Sequence, residues 1–425
     1  MPRLSWNEVK ARAIRFSSKW SDAINVAPPG GDISKFTGAV KPRSLGLDLM
    51  RFLAVGMVIY AHANMFPATR KFFLEGYSPI CDALYVMRTG AWVGVDLFFV
   101  LSGFLISGLL FKELAKTGTI SVGRFLIRRG FKIYPPFWGM ILATVIGLWC
   151  SGGVVSVQTL LTELLFLQNY VIGPAPTYVG SFWGITWSLA VEEHFYFLLA
   201  GLFFWLKIRA GSGRAVNIQV LPKLFLWVAT GCLLARLITW ALVIDQAKTM
   251  IWFTRATHVR MDALFFGVLL SYYWHNRWDE VFKAKLLAKR WLFAFAGLAL
   301  LFPAIYEHEA WFRIVGFNFT YLGAGYLLIF FLSFDRSPGS LCIRFMAWLG
   351  KHSYSVYLWH ILAGSWLLPY VTFKFKPLNI LGWTTNLLIY YALCFGLGIL
   401  TSWLIEFPIL RVRDRLFPSV FRVKP

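Results

Sequence analysis

Charge is what this 425-residue chain has least of. Asp, Glu, Lys and Arg make up 15% of it, against roughly a quarter in soluble domains. With 58% hydrophobic and 18% aromatic residues, too few charges remain to cover a surface in water, which excludes a soluble globular protein. Cysteine is scarce as well. Cys81, Cys150, Cys232, Cys342 and Cys394 are dispersed and form no CxxC pair, a pattern that supports neither a disulfide framework nor a metal site. No Walker A, HExxH or GxSxG pattern occurs, so ATP, zinc and serine-hydrolase chemistry have no support here. The start of the chain carries no apolar signal-peptide core.

What is there is apolar sequence in runs of about 20 residues, long enough to cross a bilayer. The runs fall at about 45–66, 91–111, 133–150, 182–206, 224–244, 259–275, 291–306, 312–334, 353–371 and 383–405. The expected fold is therefore all-α, a polytopic transmembrane helical bundle of about ten spans. The net charge of +22 could suggest nucleic acid, but its placement argues for a lipid partner instead. One set of alternate connections holds Arg124, Arg128, Arg129, Lys132, Lys207, Arg209, Arg214, Lys223, Lys283, Lys285, Lys289 and Arg290, with Arg411, Arg413 and Arg415 in the tail. The other set holds only Arg70, Lys71, Arg88, Lys248, Arg255, Lys374 and Lys376. By the positive-inside rule both termini are cytoplasmic. Residues 1–43 read as a basic cytoplasmic segment, with 4–20 either an amphipathic surface helix or a disordered tail. Residues 44–415 form the membrane domain, and 416–425 a cytoplasmic tail. The outward segment 151–181 has no Lys or Arg and reads partly as interfacial or re-entrant.

Ionisable groups inside such spans are costly and usually face the bundle interior. They are Asp48, Arg51, His62, Asp96, Glu192, Glu193, His194, Arg236, Arg260 and Asp262. In RFLAVGMVIYAH, Arg51 and His62 stand eleven residues apart, which on a helix returns to nearly the same face, displaced by roughly 16 Å. Asp48 shares that stripe and also suits a local pair with Arg51. His62 lies in the outward half of its span, as a site residue or as an interfacial histidine bonded to a carbonyl. Glu192 and Glu193 are about 100° apart on a helix, so they cannot both face one site. A structural ion pair of Glu192 with Arg51, Arg128 or Arg260 is as plausible as a catalytic role. Arg260 and Asp262, two residues apart, should each seek a partner on another helix. Asp96 precedes a run of small residues, Ser102, Gly103, Ser107 and Gly108, which favour close helix packing. Arg124, Arg128, Arg129 and Lys132 precede a Tyr-Pro-Pro break and would suit phosphates, although the topology rule already accounts for them.

Taken in order, LDLMRFLAVGMVIYAH, GVDLFFVLSGFLI, RRGFKIYP, WSLAVEEHFY, RMDALFFG and KHSYSVYLWH resemble membrane acyltransferase family 3, over about residues 44–415. Position 194 is His where that pattern commonly has Gln, and LDLMR stands where LDGLR is common. The resemblance implies a bacterial inner-membrane O-acyltransferase with no bound cofactor. Its co-substrate would be an acyl-CoA, by default acetyl-CoA, and its acceptor a hydroxyl of a carbohydrate or lipid-linked glycan. It assigns His62 as the catalytic histidine with Arg51 and Glu192. It places Arg128 and Arg129 as the basic pair before the IYP element, and Arg260 with Asp262 as a later supporting element. The expected mechanism has CoA phosphates at Arg124, Arg128, Arg129 and Lys132, the thioester threading inward, and His62 as general base. An acyl-imidazole intermediate competes. Glu192 or Asp48 would orient the imidazole or balance an arginine. Arg51, Arg260 or backbone N–H groups would stabilise the oxyanion. Outward aromatics such as Tyr170, Tyr178, Trp183 and Trp252 fit either a sugar platform or an interfacial belt. The rival reading is a transporter or flippase with an intramembrane proton relay.

Overall fold

A computed structural model describes residues 44–65, 79–170, 184–211, 216–242, 254–306, 309–336, 339–372 and 380–419. The basic segment 1–43, with its possible helix over 4–20, and the aromatics Tyr178, Trp183 and Trp252 lie outside them. The described residues are helical throughout, with no strand among them.

In chain order the helices are α1 (Leu45–Ala61), α2 (Pro79–Gly90), α3 (Gly94–Thr117), α4 (Val122–Cys150), α5 (Val157–Leu164), α6 (Trp187–Ala210), α7 (Leu221–Leu242) and α8 (Met261–Asn276). They continue as α9 (Glu280–Ala288), α10 (Arg290–Leu301), α11 (Phe317–Leu332), α12 (Leu341–Lys351), α13 (Ser353–Leu362), α14 (Leu368–Thr372), α15 (Ile380–Thr401) and α16 (Phe407–Leu416). Each of the ten apolar stretches falls on one of these. Among the described residues six helices are long and apolar enough to cross a membrane, and α9 with α10, bent by 67°, would make a seventh. The remaining stretches fall on shorter helices: α1 has 17 residues and α8 has 16.

Local chemistry sets the ends. Ser44 caps α1 by accepting from the Leu47 N–H, and its hydroxyl donates to Asp335 beyond α11 at 2.6 Å. Gly118, at φ 70°, ends α3 with the left-handed turn that glycine adopts without penalty. The Tyr-Pro-Pro break expected before residue 137 is not a break. Pro135 and Pro136 lie inside a continuous α4, and the Tyr354 hydroxyl donates to the Ile133 carbonyl in the same turn at 2.7 Å. The cations before Pro135 therefore ride on a helix rather than a loop.

Helices α3 and α8 pack backbone to backbone. A Cβ on Gly103 would stand 2.0 Å from the Leu264 carbonyl oxygen, and one on Gly267 2.2 Å from that of Val100. The small residues after Asp96 thus serve packing at Gly103. Two buried ion pairs tie the same region. Arg260 donates to Asp96 at 2.6 Å and Arg236 to Asp262 at 2.6 Å, each side chain no more than 2% exposed. Arg260 also lies 4.1 Å from the centroid of the Phe317 ring. Arg236 donates further to the Val259 carbonyl and to Asn318. So Arg260 and Asp262 do find partners on other helices, and the pairs join α3, α7, α8 and α11.

On the short helix α5, Glu163 is buried and accepts from the Thr186 hydroxyl at 2.7 Å. Burial pushes its carboxyl up from 4.5 to about 8, opposed by that hydrogen bond. Between those two values the folded chain holds a proton that the unfolded chain has lost, so stability falls as pH rises across the window. Glu163→Gln should melt higher than the parent at pH 8 and alike near pH 4.5; equal melting at pH 8 would contradict a neutral Glu163. Asp96→Asn leaves the Arg260 charge buried without its carboxylate. It should cost about 3–5 kcal/mol in detergent unfolding, and a loss below about 1 kcal/mol would contradict a buried pair.

Candidate active site

A cavity of about 1230 Å³ enters the bundle among α1, α3, α4, α6, α9 and α13. Its lining includes Ser44, Lys112, Glu280, Lys283 and Asp335, a polar set of mixed charge. The cations Arg51, Arg129 and Lys132 line it as well, with Glu192, Tyr196, Ser102, Ser188 and Tyr357.

Helical phase sorts the four basic residues of α4. Positions 124 and 129 lie about 140° apart, with 128 and 132 between them. Arg129 and Lys132 line the cavity. Arg124 pairs with Glu113 at 2.6 Å. Arg128 turns to α16, where it meets Asp414 at 3.0 Å and the Phe417 carbonyl. Lys132 is ion-paired with buried Glu406, which also accepts from Ser355 at 2.7 Å. Arg129 has no ion pair or hydrogen bond among the described residues; Tyr196, Arg413, Arg128 and Glu192 act on it electrostatically.

The two adjacent carboxylates separate as the helix geometry requires. Glu192 accepts from Tyr196 at 2.7 Å, and Tyr196 in turn bonds Ser102 at 2.8 Å, all three on the cavity wall. Glu193 is buried and accepts from Tyr134 of α4 at 2.9 Å. None of the three expected ion-pair partners reaches Glu192: Arg51 pairs with Asp48, Arg128 with Asp414 and Arg260 with Asp96. His194 points elsewhere, its Nδ1 2.6 Å from the Thr257 hydroxyl. Tyr170 stacks on His258 with ring centroids 5.7 Å apart.

His62 ends α1 as its C-cap, with Nδ1 2.8 Å from the Val58 carbonyl. It does not line the cavity, whereas Arg51 on the same helix does. What the structure sets against His62 is another histidine: the His360 ring of α13 lies 5.0 Å away, edge to face at 65°. One helical turn earlier, Tyr357 bridges to the cavity. Its ring is 5.7 Å from His360. Its hydroxyl, on the cavity wall, donates to the Ile185 carbonyl at 2.8 Å and meets the Ser188 hydroxyl at 2.6 Å. Tyr357 and Ser188 thus form a partition one ring thick between the cavity and the histidine pair. Arg255 acts electrostatically on both His62 and Tyr357.

Sequence reasoning missed His360, Tyr357 and Arg255 as site residues. The signal for the first two was present: KHSYSVYLWH places Tyr357 and His360 three apart, on one helix face. Arg255 carried no signal beyond its place in an outward connection.

Comparison with known proteins agrees with this architecture. The acyltransferase domain model of family 3 matches residues 44–407. A Staphylococcus aureus (strain COL) protein named "Putative O-acetyltransferase" is 28% identical over 361 residues, covering 79% of this chain and 53% of its own length. The O-acetyltransferase OatA of Staphylococcus aureus (strain NCTC 8325 / PS 47) is 26% identical over 359 residues, covering 77% of this chain and 52% of its own. The chain thus spans about half the length of the curated relatives it matches. No solved structure matches it. With its cavity, ordered motifs and helical bundle falling within the matched residues, this chain belongs to the acyltransferase domain family.

Proposed function

We propose that the chain is an integral membrane O-acyltransferase. It moves an acyl group, acetyl by default, from acyl-CoA to a hydroxyl of a glycan or lipid-linked glycan. The asymmetry of Lys and Arg supports ten crossings with both termini cytoplasmic, in the cytoplasmic membrane of a bacterium. In that orientation Lys112 and Lys283 of the cavity lining lie toward the cytosol.

The observation that carries the reading is a single cavity lined by Arg129, Ser188 and Tyr357, with His360 and then His62 in ring contact behind Tyr357. The volume, about 1230 Å³, exceeds that of a drug-sized pocket, roughly 300–1,000 Å³, and suits a long thin ligand. Among the four cations first considered for CoA, Arg124 and Arg128 are engaged away from the cavity, so the set narrows to Arg129 and Lys132. Arg129 is the better phosphate ligand: it has no competing carboxylate bond and offers a planar fork. Lys132 is held by Glu406 and shapes the wall.

The chemistry follows from the tautomer. A carbonyl only accepts, so the His62 Nδ1 at Val58 carries the proton and Nε2 is left as the base. As the acceptor oxygen bonds the thioester carbonyl carbon, its O–H bond breaks and the proton passes to His62 Nε2. The C–S bond then breaks, and the CoA thiolate takes the proton. For the thioester to reach His62, the Tyr357–Ser188 partition must swing aside, which breaks two hydrogen bonds of about 1 kcal/mol net each. Arg51 and Arg260 are committed to Asp48 and Asp96, which leaves Arg255 as the cation best disposed to the oxyanion. Asp48, Asp96, Asp262 and Ser102 act as supports for these groups.

The test uses the purified chain in lipid with acetyl-CoA and a glycan extract. His62→Ala should lower acceptor-dependent CoA release at least about 100-fold. Arg129→Ala should raise KM for acetyl-CoA about tenfold or more, the loss of a charge-assisted bond, while Arg124→Ala should shift it less than about twofold. CoA release surviving in His62→Ala would overturn the reading, and vectorial uptake surviving there without thioester consumption would favour transport.

A further inference from the structure

Resting on His62 as the base, we propose that this base is a pair of imidazoles, in which His360 holds the protonated form of His62 while the acyl group moves.

Four features carry this. Each ring has its Nδ1 on a carbonyl of its own helix, His62 on Val58 at 2.8 Å and His360 on Tyr357 at 2.7 Å. Both neutral rings are thereby fixed with the proton on Nδ1 and a lone pair on Nε2. The rings lie edge to face with centroids 5.0 Å apart. His360 is fully buried, and its Nε2 has no hydrogen-bond partner among the described residues. A buried acceptor left bare is destabilising, a cost an apolar side chain would avoid. Finally, the His360 backbone is held from α15, with the Tyr390 hydroxyl 3.4 Å and the Cys394 sulfur 3.8 Å from its carbonyl oxygen. The ring is thus a fixed wall of the site rather than a mobile side chain.

The role follows from charge balance. Between the breaking of the acceptor O–H bond and the return of the proton to the CoA sulfur, His62 carries a full positive charge. His360 is fully buried beside it, and Arg255 acts electrostatically on His62. A neutral imidazole against the ring stabilises that charge through its π face and its bare Nε2 lone pair. His360 stays neutral throughout, because a second proton would set two like charges side by side. His360 therefore acts through His62, as a positioning residue, and the pair takes up one proton per turnover.

The full chain in proteoliposomes, with acetyl-CoA and a glycan extract, tests this through His62→Ala, His360→Asn and the double variant. His360→Asn keeps a donor for the Tyr357 carbonyl and removes Nε2. It should lower kcat about tenfold to a hundredfold with KM for acetyl-CoA within about twofold. In the His62→Ala background it should cost nothing further, because groups that act as a unit are not additive. Wild-type kcat in His360→Asn, a rise in KM alone, or losses that multiply in the double variant would each overturn the pair. If His62→Ala itself keeps full turnover, the underlying reading of the site falls instead. Should His360→Asn not fold, His360→Gln is read the same way. Nitrogen-15 spectra of histidine-labelled wild-type protein give a check without variants: His360 Nε2 should be bare at neutral pH, and a protonated Nε2 would contradict the proposal.

Discussion

A charge within this bundle is stable only with its partner already in place. Lipid offers no hydrogen bonds, and bringing an unpaired ion into an apolar medium costs far more than a protein's net stability. That constraint explains Asp96 with Arg260 and Arg236 with Asp262, each pair at 2.6 Å and almost fully buried. It also explains Lys132 with Glu406 and Arg51 with Asp48. The Asp96–Arg260 and Lys132–Glu406 contacts bridge segments far apart in the chain, so they fix the angular setting of those helices as well as neutralising them. The backbone approach of α3 to α8 at Gly103 and Gly267 then has one allowed register.

Pairing also divides the polar residues by task. Groups whose partners are complete are structural, however central they look. Arg260 sits in an aromatic cage, with one guanidinium nitrogen bonded to its aspartate. Around the cavity stand Arg129, Glu192 in a chain through Tyr196 to Ser102, and, behind Tyr357, the His360 imidazole whose Nε2 has no partner among the described residues. A reaction that brings an anionic, thin carrier from one side and an alcohol from the other would need such groups.

Much of this was legible in the sequence, and the exceptions have physical reasons. All ten apolar stretches are helical, because hydropathy reports the medium each residue needs. The divergence of Glu192 from Glu193, and the separate partners of Arg260 and Asp262, follow from 100° per residue alone. The wide angle between Arg124 and Arg129 follows from the same rule, and was hidden by reading Pro135 and Pro136 as a break when α4 is continuous. The meeting of His62 with His360 was not legible. It depends on how α13 packs against α1, and neither residue's own helix reports its neighbour. The Tyr357 partition is equally a product of packing, since a tyrosine in an apolar run reads as core.

The central claim is that the thioester approaches from the side of Lys112 and Lys283 while the alcohol approaches His62 from the opposite face. Sealed vesicles of known orientation test it, with radiolabelled acetyl-CoA supplied on one face only and glycan acceptor on the other. Label should reach the acceptor only when acetyl-CoA is on the face carrying Lys112 and Lys283, and Tyr357→Phe should keep that sidedness. Transfer from acetyl-CoA supplied solely on the face nearer His62 would contradict the account.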